Sequence, residues 1–165
     1  MKKIGLISDT HSYLDESVFT HFASCDEIWH LGDIGDWQVY EKLAEFKPTK
    51  AVWGNIDNHI VRKLIPETLQ FDTEGLNIVM THIGALPPYY NKNIKNLLDM
   101  YRPNVFLCGH SHILRVIKDA KRPGLVYINP GAAGKHGFHK MRTIMRMDID
   151  KGKITNLEVV ELGLR

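Results

Sequence analysis

Five short apolar runs in this chain each stop on a polar residue able to bind a metal ion. That recurrence limits the folds open to the chain more than any other feature. Residues 4–7 lead into Ser8-Asp9-Thr10-His11, and residues 28–31 into Gly32-Asp33. Residues 51–53 lead into Gly54-Asn55-Ile56-Asp57, and residues 78–80 into Thr81-His82. Residues 105–108 lead into Gly109-His110-Ser111-His112. Short apolar runs bounded by turn residues read as buried strands. In open α/β sheets, ligands bind outside the carboxyl ends of the strands. Five loops from five strands would therefore converge on one spot. Glycines 32, 54 and 109 suit a backbone that turns sharply after each strand.

The remaining segments fit the same plan. Residues 14–23 and 37–46 carry apolar positions at helical spacing, and in the second Trp37, Tyr40, Leu43, Ala44 and Phe46 share a face. Asp36 stands where an N-cap is wanted. Strands are expected at 27–31, 50–53, 76–80, 105–108 and 125–128, and a helix at 91–101 that stops before Pro103. Residues 143–148 and 154–162 read as a hairpin turning at Asp150-Lys151-Gly152. The order is β-α-β-α-β and then strand-rich, which predicts an α/β protein with mixed sheets in one domain over 1–165.

The donors at the strand ends are oxygens and imidazoles, with no thiolate among them. Such a set favours manganese, iron, zinc or a related divalent ion over copper(I) or an iron–sulfur cluster. Asp9, His11, Asp33, Asn55, His82, His110 and His112 make seven candidates. One tetrahedral site takes about four ligands. Seven suit two ions if one carboxylate bridges, and two ions about 3.5–4 Å apart form the clamp used in phosphoryl hydrolysis. A single Asp-x-His or His-x-His arises often by chance. The conjunction of five, each at the same end of a strand, carries the reading.

Composition narrows the alternatives. Hydrophobic residues at 44% suffice for a core, and Lys+Arg 21 against Asp+Glu 19 leaves a net charge of +2. That balance argues against a broad nucleic-acid partner, which needs a basic excess. Cys25 and Cys108 stand far apart with no C-x-x-C spacing, so thiolate zinc and dithiol redox sites are not expected. The first residues lack the apolar length of a signal peptide, and no run reaches transmembrane length. The expectation is a soluble cytoplasmic protein with no membrane partner.

The ordered set Asp9-Thr10-His11, Gly32-Asp33, Gly54-Asn55, His82 and Gly109-His110-Ser111-His112 resembles the signature of the calcineurin-like metallophosphoesterase superfamily. The chain is most similar to that family's small single-domain phosphodiesterases of bacteria and archaea, and Asn129-Pro130-Gly131 resembles a further feature of that branch. The resemblance implies two facing mixed β-sheets flanked by helices. It implies one ion held by Asp9, His11, Asp33 and His112. A second would be held by Asp33, Asn55, His82 and His110, with Asp33 as the bridge. The cofactor would be two divalent ions, manganese first, with iron, nickel, zinc or magnesium as alternatives. The implied reaction is hydrolysis of a phosphodiester in a small substrate by a hydroxide bridging the ions. Asp33 and Asn55 would be the catalytic residues.

Two positions depart from the family pattern. Many members carry a histidine after the Gly-Asn pair that protonates the leaving group; here Ile56 stands there and cannot. Members of this branch often carry a second histidine two residues after the one at 82; here it is Gly84. Both departures predict a preference for leaving groups of low pKa. His59, Lys135, Arg142, His136 and His139 are candidates for the rim of the site. His59 and Lys135 are taken as substrate contacts, against the plainer reading of exposed loop residues. His21, His30, Trp29 and Trp53 are assigned to structure. Pro87-Pro88-Tyr89-Tyr90 could shape substrate choice, form a packing corner or meet another subunit. The alternatives to an enzyme are a scaffold, as related folds serve in the retromer coat, and a nuclease. The complete donor set argues against the scaffold. The charge balance and short length argue against the nuclease. With no length for a cap, selectivity falls to loops or to a second copy in a homo-oligomer.

Overall fold

The computed structural model describes residues 1–165. The chain runs β1 (Lys2–Ile7), α1 (Ser17–His21), β2 (Glu27–His30), α2 (Trp37–Phe46), β3 (Thr49–Ala51), α3 (His59–Leu64) and β4 (Thr68–Thr73). It continues with β5 (Leu76–Thr81), α4 (Lys92–Tyr101), β6 (Val105–Leu107), β7 (Arg115–Lys118), β8 (Val126–Asn129), β9 (Met141–Asp150) and β10 (Lys153–Leu164). The strands form two five-stranded sheets, ordered β10-β9-β1-β2-β3 and β4-β5-β6-β8-β7. Both are mixed. In the first, β1, β2 and β3 run parallel, and the β9–β10 hairpin joins β1 antiparallel. In the second, β5, β6 and β8 run parallel, with β4 and β7 antiparallel at the edges.

The two-residue period of a strand sorts side chains to two cores. Ile4 and Leu6 of β1, Trp29 of β2 and Met145, Met147 and Ile149 of β9 face the second sheet. They meet Leu76, Ile78 and Met80 of β5, Val105 and Leu107 of β6 and Ile128 of β8. The residues between them point outward. Ile7 and Ile28 pack under α1, α2 and α3 through Val18, Val39, Leu43 and Val61. Val79, Phe106 and Tyr127 pack under Ile94 and Leu98 of α4. Each fully buried aliphatic side chain contributes about 1.5–3 kcal/mol. The layers are therefore helices, sheet, sheet, helix, and both parallel trios end at one edge of the sandwich.

The two longer sequence-predicted helices differ in how they start. Asn91 accepts a hydrogen bond from the Ile94 N–H and caps α4. Asp36 occupies the N-cap of α2 in extended conformation, but its carboxylate caps nothing. The hairpin turn falls where expected. Lys151 and Gly152 both have positive φ, 47° and 76°, as a two-residue turn of the right-handed hairpin requires.

Three elements escape the sequence pattern: α3, β4 and β7. Both strands are edges and neither is fully buried along its length, so their residues need not alternate cleanly. The predicted helix at 14–23 shrinks to the five residues of α1. Leu14, Val18 and Phe22 still reach the outer core, so the apolar spacing reports burial there without a long helix. No helix is long and apolar enough to cross a membrane. Cys25 and Cys108 are free and buried, and burial pushes their thiols up to about 11 and about 12. Cys108 is thus an inert core residue.

Candidate metal centre

The loops after β1, β2, β3, β5 and β6 meet at the shared edge, as the sequence predicts. Two groups of donors form there. Asp9, His11 and His112 make one, and Asp33, His82 and His110 make the other, each with its donor atoms within 4.8 Å of one another. Asn55 joins the second group, its Oδ1 lying 2.9 Å from His110 Nδ1. Asp33 faces both groups. Its Oδ2 lies 3.5 Å from His11 Nε2 and its Oδ1 lies 3.2 Å from His82 Nε2. All seven candidate ligands are thus brought together.

Supporting contacts hold these donors in place. Ser8 Oγ donates to Asp9 Oδ2 at 2.6 Å, and the His110 N–H donates to the same oxygen at 3.1 Å. The other oxygen, Oδ1, is left facing His112 Nε2 at 3.2 Å. His82 Nδ1 lies 2.7 Å from the Leu31 carbonyl, which can only accept. Nδ1 therefore carries the proton, and the Nε2 lone pair points into the group. Asn129 Nδ2 donates to the Gly109 carbonyl and to Ser111 Oγ, tying the β6 loop to β8.

The donor set fits divalent cations on two counts. Asp9 Oδ1, His11 Nε2 and His82 Nε2 are buried yet have no hydrogen-bond partner. A buried polar atom left so costs about 1–3 kcal/mol. The facing donors also stand 2.9–3.5 Å apart. Ligands about 2.0–2.2 Å from a common ion are separated by about 2.8–3.6 Å at angles between octahedral and tetrahedral.

The backbone carries the same message. Asp9, His11, Asp33, His110 and His112 all adopt positive φ, between 46° and 66°. For non-glycine residues this costs about 1–3 kcal/mol each and persists only where the surroundings over-determine it. The glycines beside them serve two different ends. Gly32 has a φ of +95°, as a sharp turn demands. Gly54 and Gly109 do not; there the requirement is space. A Cβ on Gly54 would lie 2.1 Å from Asp33 Oδ1, and one on Gly109 would lie 2.0 Å from Ser8 Oγ.

The electrostatics follow from burial and pairing. Burial acts to raise the Asp33 carboxyl, but His82, the Ile56 N–H and His11 outweigh it and hold it below its ordinary value. Burial acts to lower His82, but Asp33 and Asp9 raise it overall. His11 falls, chiefly through burial. His30 lies behind the site, where burial drives it down to about 3. It accepts from the Gly32 N–H and pairs with Thr10 Oγ1, the structural role assigned to it from the sequence.

Rim candidates divide. His136 packs against His11 in a tilted arrangement, with ring centroids 4.8 Å apart. His139 Nδ1 lies 3.2 Å from His112 Nδ1. Lys135 is exposed and sits 4.4 Å over the Tyr13 ring. His59 is exposed on the first turn of α3 and makes none of the cluster's hydrogen bonds. Arg142 is not free to meet a phosphate. It is buried, donating to Asp15 Oδ2 at 2.7 Å and to the Leu162 and Leu164 carbonyls. Hydrogen bonds from Ser17 and then Arg142 hold Asp15 down to about 2. Ser8 and Asp57 are functional neighbours that the sequence pattern does not single out, and His139 is one that it places only at the rim; the glycines shortly before His139, at 134 and 137, are the available signal.

A cleft of about 420 Å3 opens beside Asn55 and His82, walled by Trp53, Glu67, Thr68, Ile83, Asn91 and Asn93. Arg62 stacks over Trp53 at 4.3 Å. None of residues 87–90 lines the cleft. Tyr90 instead packs beneath α4, and Tyr89 is exposed. Gly84 also has a packing reason. A Cβ there would meet Cys108 Sγ at 2.6 Å and Phe106 at 3.2 Å. Gly84→His should therefore destabilise the fold by about 1–3 kcal/mol through overpacking, read as a lower denaturant midpoint. An unchanged midpoint would show that the site has room for the missing imidazole.

Comparison with known proteins agrees with this geometry. A probable metallophosphoesterase of Methanothermobacter thermautotrophicus is 29% identical over 136 residues, covering 78% of this chain and 76% of the relative. The crystal structure of Chaetomium thermophilum Vps29 shares the fold with a TM-score of 0.76 at 16% identity, over 98% of this chain and 97% of that one. A structure described as a novel archaeal phosphodiesterase gives 0.73 at 19% identity, over 97% and 99%. The sequence profile of the calcineurin-like phosphoesterase superfamily domain matches residues 1–152. A chain that carries that profile over nearly its whole length, on this double sheet and with these donors at the strand ends, belongs to the calcineurin-like phosphoesterase superfamily.

Proposed function

We propose that this metal-dependent phosphoesterase hydrolyses phosphodiester bonds of a small substrate with two divalent ions, manganese first among them. The observation that carries the reading is Asp33, whose two oxygens face two separate donor groups. Asp9, His11, Asp33 and His112 would hold one ion, and Asp33, Asn55, His82 and His110 the other. When bound, the ions supply an activated water and a positive field for the phosphoryl oxygens.

The protein's own groups do the rest. Asn55 Oδ1 is turned toward His110, which leaves its exposed Nδ2 to donate to a non-bridging oxygen. The cleft beside Asn55 and His82 has room for a second organic substituent, which supports a diester over a monoester. Ile56, next to Asn55, is half exposed and offers no proton. The leaving group therefore departs without a side-chain acid at that position, and low-pKa alcohols should leave faster. His59 and Lys135 would contact substrate only at the outer rim.

The likeness to Vps29 extends to fold and keeps a scaffold role as the second reading. The complete donor set favours hydrolysis, because a scaffold has no use for buried, unpartnered ligands. The reading places the enzyme in the cytoplasm, where its two free thiols stay reduced. It also allows a second copy to complete the rim.

A panel of aryl and alkyl phosphodiesters and monoesters, assayed with manganese, iron, nickel, zinc and magnesium, tests the proposal. Aryl diesters should turn over fastest. Manganese at a hundredfold excess over its dissociation constant should stabilise the fold by about 2.7 kcal/mol, a rise of roughly 5–10 °C in Tm at this size. No hydrolysis and no thermal shift with any metal would overturn the enzyme reading. Faster turnover of alkyl diesters would overturn the leaving-group argument.

A further inference from the structure

We propose that His139 is a positioning residue for the first ion: its imidazole accepts the Nδ1 proton of His112 and so keeps the His112 Nε2 lone pair free to bind that ion beside Asp9. The inference rests on the two-ion reading above. It follows from a chain of proton assignments.

His139 Nε2 lies 2.9 Å from the Gly134 carbonyl, which can only accept. Nε2 therefore bears the His139 proton, and the Nδ1 of that neutral ring has only a lone pair to offer. That Nδ1 faces His112 Nδ1 at 3.2 Å. The proton between them must then belong to His112. Once Nδ1 of His112 is protonated, its Nε2 holds a lone pair, and that atom stands 3.2 Å from Asp9 Oδ1. A ligating imidazole whose other nitrogen donates to a fixed acceptor is held in tautomer and in orientation. His82 achieves this directly through the Leu31 carbonyl. His112 achieves it through one intervening ring.

The loop is shaped for this contact. Gly137, with φ +124°, passes so close that a Cβ would lie 2.1 Å from His112 Nδ1 and 3.3 Å from His139 Nδ1. Any side chain there would occupy the space between the two rings. Gly134 is fixed in turn, its N–H donating to the Asp9 carbonyl at 3.0 Å. A Cβ on it would strike the Thr10 carbonyl at 2.3 Å. One residue thus anchors both the Asp9 main chain and, through its carbonyl, the His139–His112 pair. His139 makes its hydrogen bonds to His112 and the Gly134 carbonyl, and none to the second group. An imidazole in this place also adds no negative charge beside Asp9 and Asp33, as a carboxylate would.

Two measurements on the full chain test the assignment. In metal-free protein labelled with 15N-histidine, His112 should show the Nδ1–H tautomer, and His139→Ala should shift it toward Nε2–H. In manganese titrations, His139→Ala should weaken one of the two sites by about 10–100-fold and leave the other unchanged. His139→Asn, whose Oδ1 can stand where Nδ1 stood, should restore most of that affinity. Wild-type affinity at both sites in His139→Ala, or an unchanged His112 tautomer, would overturn the proposal. So would an equal loss at both sites with a lower Tm, which marks a merely structural residue. If the wild-type chain bound no metal at all, the two-ion reading would fall, and the metal-free tautomer measurement would still decide the role of His139.

Discussion

Asp33→Asn should abolish hydrolysis, lowering kcat/KM by at least about 10^3-fold, while the protein still folds. The substitution is nearly isosteric and the side chain is buried, so the packing around it survives. The remaining carbonyl oxygen can still accept the Ile56 N–H that Asp33 Oδ1 accepts at 3.1 Å. The amide then sets an NH2 group against His11 Nε2, which now lies 3.5 Å from an oxygen. One donor to the first group is lost, and the negative charge shared by both groups is gone. On the proposed two-ion site, losing the charge that would hold both cations removes several kcal/mol of transition-state stabilisation, and each 1.4 kcal/mol is about tenfold in rate. Metal analysis should find one ion or fewer per chain, against the two that the proposed site would give in wild type. Activity within about tenfold of wild type, with two ions retained, would refute the shared role of Asp33.

Much of this site was legible because strand ends announce themselves in sequence. Asp9, His11, Asp33, Asn55, His82, His110 and His112 each follow an apolar run, and parallel strands deliver their carboxyl ends to one edge. Sequence patterning could not reach what depends on close approach. Gly54 and Gly109 look like turn formers, but the Asp33 side chain presses against one and the Ser8 side chain against the other, leaving no space for a Cβ. Gly84 looks like a missing histidine, but a Cβ there would crowd the Cys108 side chain. The strands β4 and β7 were hidden because an edge strand packs on few neighbours and tolerates a mixed sequence. His139 was hidden because its partner, His112, lies in another loop. Only the fold makes them neighbours.

Asp57 shows how far such a contact can matter. Beside Ile56 it looks like a carboxylate without the imidazole it would orient. In the fold it holds two loops instead. Its Oδ1 accepts the Gly35 N–H at 2.8 Å and its Oδ2 accepts the Gly54 N–H at 2.7 Å. Asp57→Ala should therefore leave two main-chain donors without a partner in a region that water reaches poorly. Each costs about 1–3 kcal/mol, so the variant should lose about 2–6 kcal/mol. For a chain of this size that lowers Tm by roughly 2–4 °C per kcal/mol. The damage is also directed at the site. Gly54 abuts the Asp33 carboxylate and precedes Asn55, so a displaced loop moves two of the proposed metal ligands. A misplacement of about 1 Å costs on the order of 10^2-fold in rate. Asp57→Asn keeps one accepting oxygen and turns an NH2 group toward the other N–H, so it should fall between Asp57→Ala and wild type in both stability and activity. Thermal melting and kcat/KM measured together separate the effects. Wild-type values of both in Asp57→Ala would mean that the Gly35 and Gly54 loops keep their places without this carboxylate.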